Sequence, residues 1–131
     1  MPADSQSLKT VFIIDDNVMM RSMLRLGANE AELPVLGEAG TIQAASTRCT
    51  ELEPDIVLLD LGLPDGNGLD LLSELKARNP STYVIIVSAK NDQEVVRDAV
   101  TRGAKGFIVK PFSIGTVTDA LVTAKRKLGC N

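Results

Sequence analysis

The stretch Asp55-Ile56-Val57-Leu58-Leu59-Asp60 decides the fold of this chain, because four apolar residues in succession end at a carboxylate. The run is too short for a typical helix, and its branched side chains suit a strand that is packed on both faces. Residues 61–68 follow with three Gly, one Pro and one Asn, which is turn composition. We therefore predict a buried central strand of a parallel sheet. Asp60 then either caps the next turn or lies where open α/β sheets bind ligands.

Length and composition describe one globular domain. The chain has 131 residues, of which 44% are hydrophobic and 24% charged, and we assign residues 10–128 to one domain between a polar N-terminal tail, 1–9, and a C-terminal tail, 129–131. The net charge of −3 disfavours direct nucleic-acid binding, and the lack of histidine excludes Ser-His triads and His-based metal sites. Cys49 and Cys130 are too far apart for a metal-binding pair. Without a secretory signal or a membrane-length apolar run, we expect a cytoplasmic protein.

Short apolar runs alternate with helical patterns along the chain. We predict strands at residues 10–14, 35–38, 55–60, 83–87 and 106–109. A helix follows each strand, and the first two helices are expected to end at Pro34 and Pro54. Suitable capping residues precede the second, fourth and fifth helices: Thr41, Asn91 or Asp92, and Ser113. This order predicts a doubly wound (βα)5 fold of the α/β class, a parallel sheet with helices on both faces.

In such a fold every strand ends at the same edge of the sheet, so side chains from distant parts of the chain converge there. The residues that follow or end the strands are Asp15, Asp16, Asp60, Ser88 and Lys110. Three neighbouring carboxylates stay ionised only beside a cation, and oxygen ligands favour Mg²⁺ before Mn²⁺ or Ca²⁺. With an ammonium and a hydroxyl nearby, this set predicts a phosphoryl-transfer site in which Asp60 is the nucleophile. The simpler alternatives are that Ser88 is an N-cap and that Lys110 only pairs with Asp15 or Asp16.

Several motifs resemble those of response regulator receiver domains of two-component signalling, and the resemblance covers residues 10–128. They are Ile13-Ile14-Asp15-Asp16-Asn17, Leu58-Leu59-Asp60, Leu63-Pro64-Asp65-Gly66, Val87-Ser88-Ala89 and Phe107-Ile108-Val109-Lys110-Pro111. The resemblance implies a flavodoxin-like sheet with strand order 2-1-3-4-5. It also implies a phosphoprotein that receives its phosphoryl group on Asp60 from a phosphohistidine of a sensor kinase or of a histidine phosphotransfer protein.

The same resemblance implies roles for the other site residues. Mg²⁺, or Mn²⁺ in its place, would be bound by Asp16, Asp60 and the backbone carbonyl of Gly62, with Asp15 reaching the ion mainly through water. Ser88 and Phe107 would be the switch residues, the first moving onto the phosphoryl oxygen and the second turning inward behind it. The peptide bond before Pro111 would be cis.

The output expected from the resemblance is a change in the surface of the fourth helix, fifth strand and fifth helix, which controls a partner protein. The chain would be a phosphoacceptor that catalyses only its own phosphorylation and dephosphorylation, so we do not expect a classical enzyme. We expect no direct nucleic-acid binding, no membrane insertion, and a monomer or a phosphorylation-dependent dimer.

Some positions depart from the pattern of chemotaxis regulators. Gly62 replaces a larger polar residue, and Lys90 stands where that group often has an acid; both positions tune the lifetime of the phosphoryl group. Phe107 lacks the hydroxyl of the commoner Tyr, so no ring hydrogen bond can fix its buried state.

Four other readings compete with a single-domain regulator. The chain could be the receiver fragment of a longer DNA-binding regulator, or a receiver-like domain that no longer accepts phosphate. An aspartyl-phosphate phosphatase would have two acids separated by one residue after the first strand, whereas Asp15 and Asp16 are adjacent. A flavin-binding module would need a hydroxyl-rich phosphate loop and aromatic side chains over the ring, and this chain has no Trp and one Tyr.

Overall fold

The computed structural model describes residues 8–89 and 92–129, which form five strands and five helices in alternation. The strands are β1 (Val11–Ile14), β2 (Val35–Ala39), β3 (Ile56–Asp60), β4 (Tyr83–Ser88) and β5 (Gly106–Val109). The helices are α1 (Val18–Glu30), α2 (Ile42–Leu52), α3 (Gly68–Arg78), α4 (Gln93–Thr101) and α5 (Ile114–Lys127). All five predicted strands are present, and each bound agrees with the prediction to within one residue.

The strands form one parallel sheet in the order β2-β1-β3-β4-β5, which confirms the predicted fold. β1, β3 and β4 occupy the interior of the sheet, and every residue in them is buried. Leu58 in β3 pairs with Ile13 in β1 and with Ile85 in β4. Both faces of β3 carry apolar side chains. Neither face is therefore suited to contact with solvent, and β3 is the middle strand of the sheet.

Two apolar layers hold the helices against opposite faces of the sheet. Alternate residues of each strand point to opposite faces, so Val11 and Ile13 pack with α1 and α5, whereas Phe12 and Ile14 pack with α2, α3 and α4. The helices therefore cover both faces and leave the edge at the carboxyl ends of the strands open to ligands.

The five described helices all begin at this carboxyl edge, and a side chain caps each N-terminus. The capping oxygens belong to Asn17, Thr41, Asn67, Asp92 and Ser113, and each accepts a hydrogen bond from a backbone N–H in the first turn. The caps predicted at Thr41, Asp92 and Ser113 are confirmed. This arrangement surrounds the carboxyl edge with short polar side chains on a rigid frame.

The first helix ends earlier than predicted. α1 ends at Glu30 and does not continue to Pro34. Glu32 has a φ of 60°, and the N–H of the buried Leu33 donates to the carbonyl of Ala28 at 2.9 Å. A left-handed turn that buries Leu33 therefore ends the helix before the proline is reached.

Candidate functional site

Four strand ends bring the predicted site residues to the carboxyl edge of the sheet. Asp15 follows β1, Asp60 ends β3, Ser88 ends β4, and Lys110 follows β5. The parallel pairing aligns the carboxyl ends of these strands along one edge of the sheet. The backbone N–H of Lys110 donates to the Ser88 carbonyl at 2.9 Å. Residues that are distant in sequence therefore share one site.

Lys110 bridges two buried acids. Its Nζ donates to Asp15 Oδ2 at 2.8 Å and lies 3.3 Å from Asp60 Oδ2. The side chain of Asp15 is fully buried, and those of Asp60 and Lys110 are 8% and 19% exposed. Burial lowers the pKa of Lys110, but the hydrogen bond to Asp15 and the charges of both acids outweigh burial and hold this pKa above its ordinary value. The ammonium therefore stays charged and compensates both carboxylates.

Further contacts fix the Asp15 side chain and the backbone beside it. The N–H of Asn17 donates to Asp15 Oδ1 at 2.9 Å. Arg21 Nη1 donates to the backbone carbonyl of Asp15 at 2.6 Å, and Arg21 Nε donates to Glu38 Oε1 at 3.0 Å. Arg21 thus ties the loop after β1 to the end of β2, and Asp15 is held by contacts on both carboxylate oxygens.

Asp60 faces an open depression of about 580 Å³, which is also lined by Gly62, Ser88, Ala89 and Lys110. The N–H of Gly62 donates to Asp60 Oδ1 at 3.0 Å, while Asp60 Oδ2 faces Lys110. A Cβ atom at Gly62 would lie 3.8 Å from Asp60 Oδ1. The glycine therefore leaves the approach to this carboxylate open to solvent or to a ligand.

Three carboxylates at this edge can share a metal ion. Asp15, Asp16 and Asp60 each offer one oxygen, and these oxygens lie within 4.8 Å of one another. Asp16 is exposed, while the other two acids are buried. A set of carboxylate oxygens suits a hard divalent cation, and Lys110 alone leaves part of the acidic charge uncompensated. The donor set therefore fits Mg²⁺, the ion predicted from the sequence.

The two predicted switch residues lie on neighbouring strands. Ser88 is 3% exposed and lines the depression. Phe107, on β5, is partly buried and packs against the layer that contains α2, α3 and α4. Their switch roles stay predictions, and Lys90 lies outside the described residues. The Lys110–Pro111 peptide bond is cis, as the resemblance implied.

Two side chains that shape this edge were not predicted from the sequence. Arg21 looks like an ordinary surface residue of α1, and its one signal is its position one turn after the acidic pair. Asp65 looks like a turn residue, yet its carboxylate accepts hydrogen bonds from the backbone N–H groups of Ile42 at 2.7 Å and Gln43 at 3.1 Å. The bond of Arg21 to Glu38 and the bonds of Asp65 to α2 join segments that are separated in sequence, so local patterns did not reveal them.

Comparison with known proteins agrees with this arrangement. Residues 11–122 match the family model described as the response regulator receiver domain. The chain is 41% identical over 113 residues to the chemotaxis protein CheY of Thermotoga maritima, covering 86% of this chain and 94% of that protein. It is 39% identical over 116 residues to the chemotaxis protein CheY of Listeria monocytogenes, covering 88% of this chain and 98% of that protein.

A solved structure shows the same fold. The crystal structure of the CheX-CheY-BeF3-Mg+2 complex from Borrelia burgdorferi aligns with a TM-score of 0.84 and 27% identity, covering 88% of this chain and 87% of that chain. Among the described residues, no helix combines the length and apolar character needed to cross a membrane. Since the family model spans most of the chain and the relatives match over nearly their full length, this chain belongs to the response regulator receiver domain family of two-component signalling.

Proposed function

We propose that Asp60 accepts a phosphoryl group from a phosphohistidine of a sensor kinase or of a histidine phosphotransfer protein. The observation that carries this proposal is the position of Lys110 Nζ, 3.3 Å from Asp60 Oδ2 at the wall of an open depression. Asp15 holds the same ammonium at 2.8 Å, so its positive charge is already in place beside the acceptor.

The chemistry is an in-line displacement at phosphorus. A carboxylate oxygen of Asp60 forms the new P–O bond while the P–N bond to the donor histidine breaks, and the electron pair of that bond returns to the imidazole nitrogen. Lys110 lies where it can offset the charge on the transferred phosphoryl oxygens. The product is an acyl phosphate on Asp60.

Asp15, Asp16 and Asp60, together with the backbone carbonyl of Gly62, would hold Mg²⁺, with Mn²⁺ as a second choice. A bound ion would supply further positive charge to the phosphoryl oxygens. The three carboxylate oxygens within 4.8 Å support this assignment. The related CheY of Borrelia burgdorferi, whose complex contains BeF3 and Mg+2, gives independent support.

Phosphorylation would shift a conformational equilibrium that is read at the surface of α4, β5 and α5. In this proposal the Ser88 hydroxyl moves onto the phosphoryl group and Phe107 turns inward. Val100 is 61% exposed and Val109 is 41% exposed, so the output surface offers apolar side chains to a protein partner.

We also propose that the protein lies in the cytoplasm. Its role there is that of a phosphoacceptor, and it does not catalyse a reaction of a separate substrate.

Incubation with acetyl phosphate and Mg²⁺, followed by intact mass spectrometry, tests the proposal. The wild type should gain the mass of one phosphoryl group, and Asp60→Asn or addition of a chelator should prevent the gain. Asp119→Asn, which changes an exposed acid on α5, is the matched control and should label normally. Labelling of Asp60→Asn at the wild-type rate would place the acceptor elsewhere, and turnover of a small phosphate ester would favour a phosphatase.

A further inference from the structure

The loop that leaves Asp60 is attached to helix α2 through one carboxylate. Asp65 Oδ1 accepts from the N–H of Ile42 at 2.7 Å, and Asp65 Oδ2 accepts from the N–H of Gln43 at 3.1 Å. These are the first two N–H groups of α2, where the helix dipole favours a negative charge. The hydrogen bond from Ile42 is the main cause that holds the pKa of Asp65 below its ordinary value.

Helix α2 also has its own local cap. Thr41 Oγ1 accepts from the N–H of Ala44 at 3.2 Å. The first N–H groups of an exposed helix end can otherwise bind water, so the helix has no strict need of Asp65. The specific effect of Asp65 is to join a distant loop to the helix, which Thr41 cannot do.

Between the buried Leu63 and Asn67, which caps α3, the loop has few other fixed points. Leu63 is buried, whereas Pro64, Gly66 and Asn67 are exposed. A Cβ atom at Gly66 would lie 2.9 Å from Ile42 Cδ1, which shows how closely the loop approaches α2. The proline restricts the backbone between Asp65 and the buried Leu63, so the contact of Asp65 with α2 fixes the exposed part of the loop next to Leu63 and Gly62.

We propose that Asp65 is a positioning residue of the phosphoacceptor site. By binding the N-terminus of α2, it sets the conformation of the loop that carries the Gly62 backbone, and it thereby sets the affinity of the site for the divalent ion. The inference rests on the proposed function, because Gly62 contributes to the ion site only in that function. Asp65 itself belongs neither to the residues that line the depression beside Asp60 nor to the three-carboxylate cluster.

The test compares Asp65→Ala with Thr41→Ala, since both variants remove capping hydrogen bonds from the same end of α2. Isothermal titration calorimetry with MgCl₂ measures the affinity directly, without any phosphorylation. Asp65→Ala should weaken Mg²⁺ binding by up to about tenfold, the lower end of the loss seen when a group bonded directly to a metal ligand is removed, because Asp65 acts only through the loop. Asp65→Asn should fall between, because its amide oxygen can accept one of the two bonds. Thr41→Ala should keep the wild-type affinity despite its lower stability.

Two further readouts separate positioning from capping. In the metal-free protein, the amides of residues 61–63 and 65–67 should exchange hydrogen faster in Asp65→Ala, whereas Thr41→Ala should change only the exchange of α2. Labelling of Asp65→Ala by acetyl phosphate should be slow at low Mg²⁺ and should recover at saturating Mg²⁺, because the acceptor and Lys110 are intact.

Wild-type Mg²⁺ affinity in Asp65→Ala, or an equal loss in Thr41→Ala, would overturn the inference and leave Asp65 as a helix cap. A wild-type protein that binds Mg²⁺ but takes no phosphoryl group would instead overturn the proposed function. The Mg²⁺ affinities of the variants are measured without labelling, and the labelling of the wild type is measured without a variant. Failure of the inference about Asp65 can therefore be told apart from failure of the proposed function.

Discussion

The ammonium of Lys110 and the carboxylate of Asp15 form a 2.8 Å ion pair between groups that are 95 positions apart in the chain. Asp15 is fully buried and receives a second hydrogen bond from the N–H of Asn17, so the pair has a defined place. The same ammonium lies 3.3 Å from Asp60. One side chain therefore supplies positive charge to two buried acids, and its removal should affect both stability and signalling.

Lys110→Ala should lower the free energy of unfolding of the metal-free protein by about 2–3 kcal/mol, because two buried carboxylates lose their shared cation. Mg²⁺ should recover part of this loss, since a divalent ion offsets the same charges. Denaturant unfolding with and without Mg²⁺ measures both effects. Lys105→Ala, at an exposed position before β5, is the control and should change stability by less than about 0.5 kcal/mol. Equal losses in the two variants would contradict the bridging role.

The same Lys110→Ala variant should retain Mg²⁺ binding but lose the link between phosphorylation and conformation. Beryllofluoride with Mg²⁺ mimics the phosphorylated state, and we expect it to shift the amide resonances of α4, β5 and α5 in the wild type. In the variant these shifts should be confined to the residues around Asp60. If the distant resonances move as in the wild type, Lys110 does not couple the site to the output surface.

Asp65 should give a pH-dependent contribution to stability. Its pKa in the folded protein is lower than the ordinary 3.8, chiefly because the N–H of Ile42 donates to it. The ionised carboxylate of Asp65 therefore stabilises the fold fully at pH values above the ordinary pKa of 3.8. This stabilisation is lost as the pH falls through the lower pKa that Asp65 has in the folded protein. Asp65→Asn should lower the urea midpoint at pH 7, and the difference from wild type should shrink in strong acid. Thr41→Ala should give a difference that does not depend on pH, and a constant difference for Asp65→Asn would contradict the account.

The packing of α1 against α5 depends on a glycine. A Cβ atom at Gly27 would lie 2.4 Å from Val117 Cγ1, so a larger residue must push the helices apart. Gly27→Ala should cost about 1–3 kcal/mol in unfolding free energy. Gly115→Ala, in α5 with its nearest neighbour atom 3.8 Å away, should instead stabilise the protein by about 0.5–1 kcal/mol. Thermal or denaturant unfolding of both variants measures the contrast, and equal effects would rule out the close crossing.

Much of the fold was predictable because the strands are buried and the order of elements is regular. The apolar run before Asp60 indicated the central strand, and the parallel arrangement then placed Asp15 and Lys110 at the same edge as Asp60. Cys49 lies on the buried face of α2, and burial raises the pKa of its thiol to about 12. The buried strands and the order of the elements could be predicted because they depend on the periodicity and composition of short stretches of sequence.

The parts that the sequence did not reveal depend on turns and on contacts between loops. The end of α1 was predicted near Pro34, but the left-handed conformation of Glu32 and the burial of Leu33 end the helix first. The bonds of Arg21 to Glu38 and of Asp65 to α2 require the relative positions of segments that are separated in the sequence. The spacing of residues within one helix or strand does not predict such contacts between segments.

The most direct test of the central claim is to locate the phosphoryl group on the chain. The protein is labelled with acetyl phosphate and Mg²⁺, the acyl phosphate is reduced with borohydride to a stable alcohol, and tandem mass spectrometry of the peptides identifies the modified residue. We expect the reduced residue at position 60 alone, with none in the Asp60→Asn variant. Modification at Asp15, Asp16 or another acid in place of Asp60, or no acyl phosphate in the presence of Mg²⁺, would contradict the proposed function.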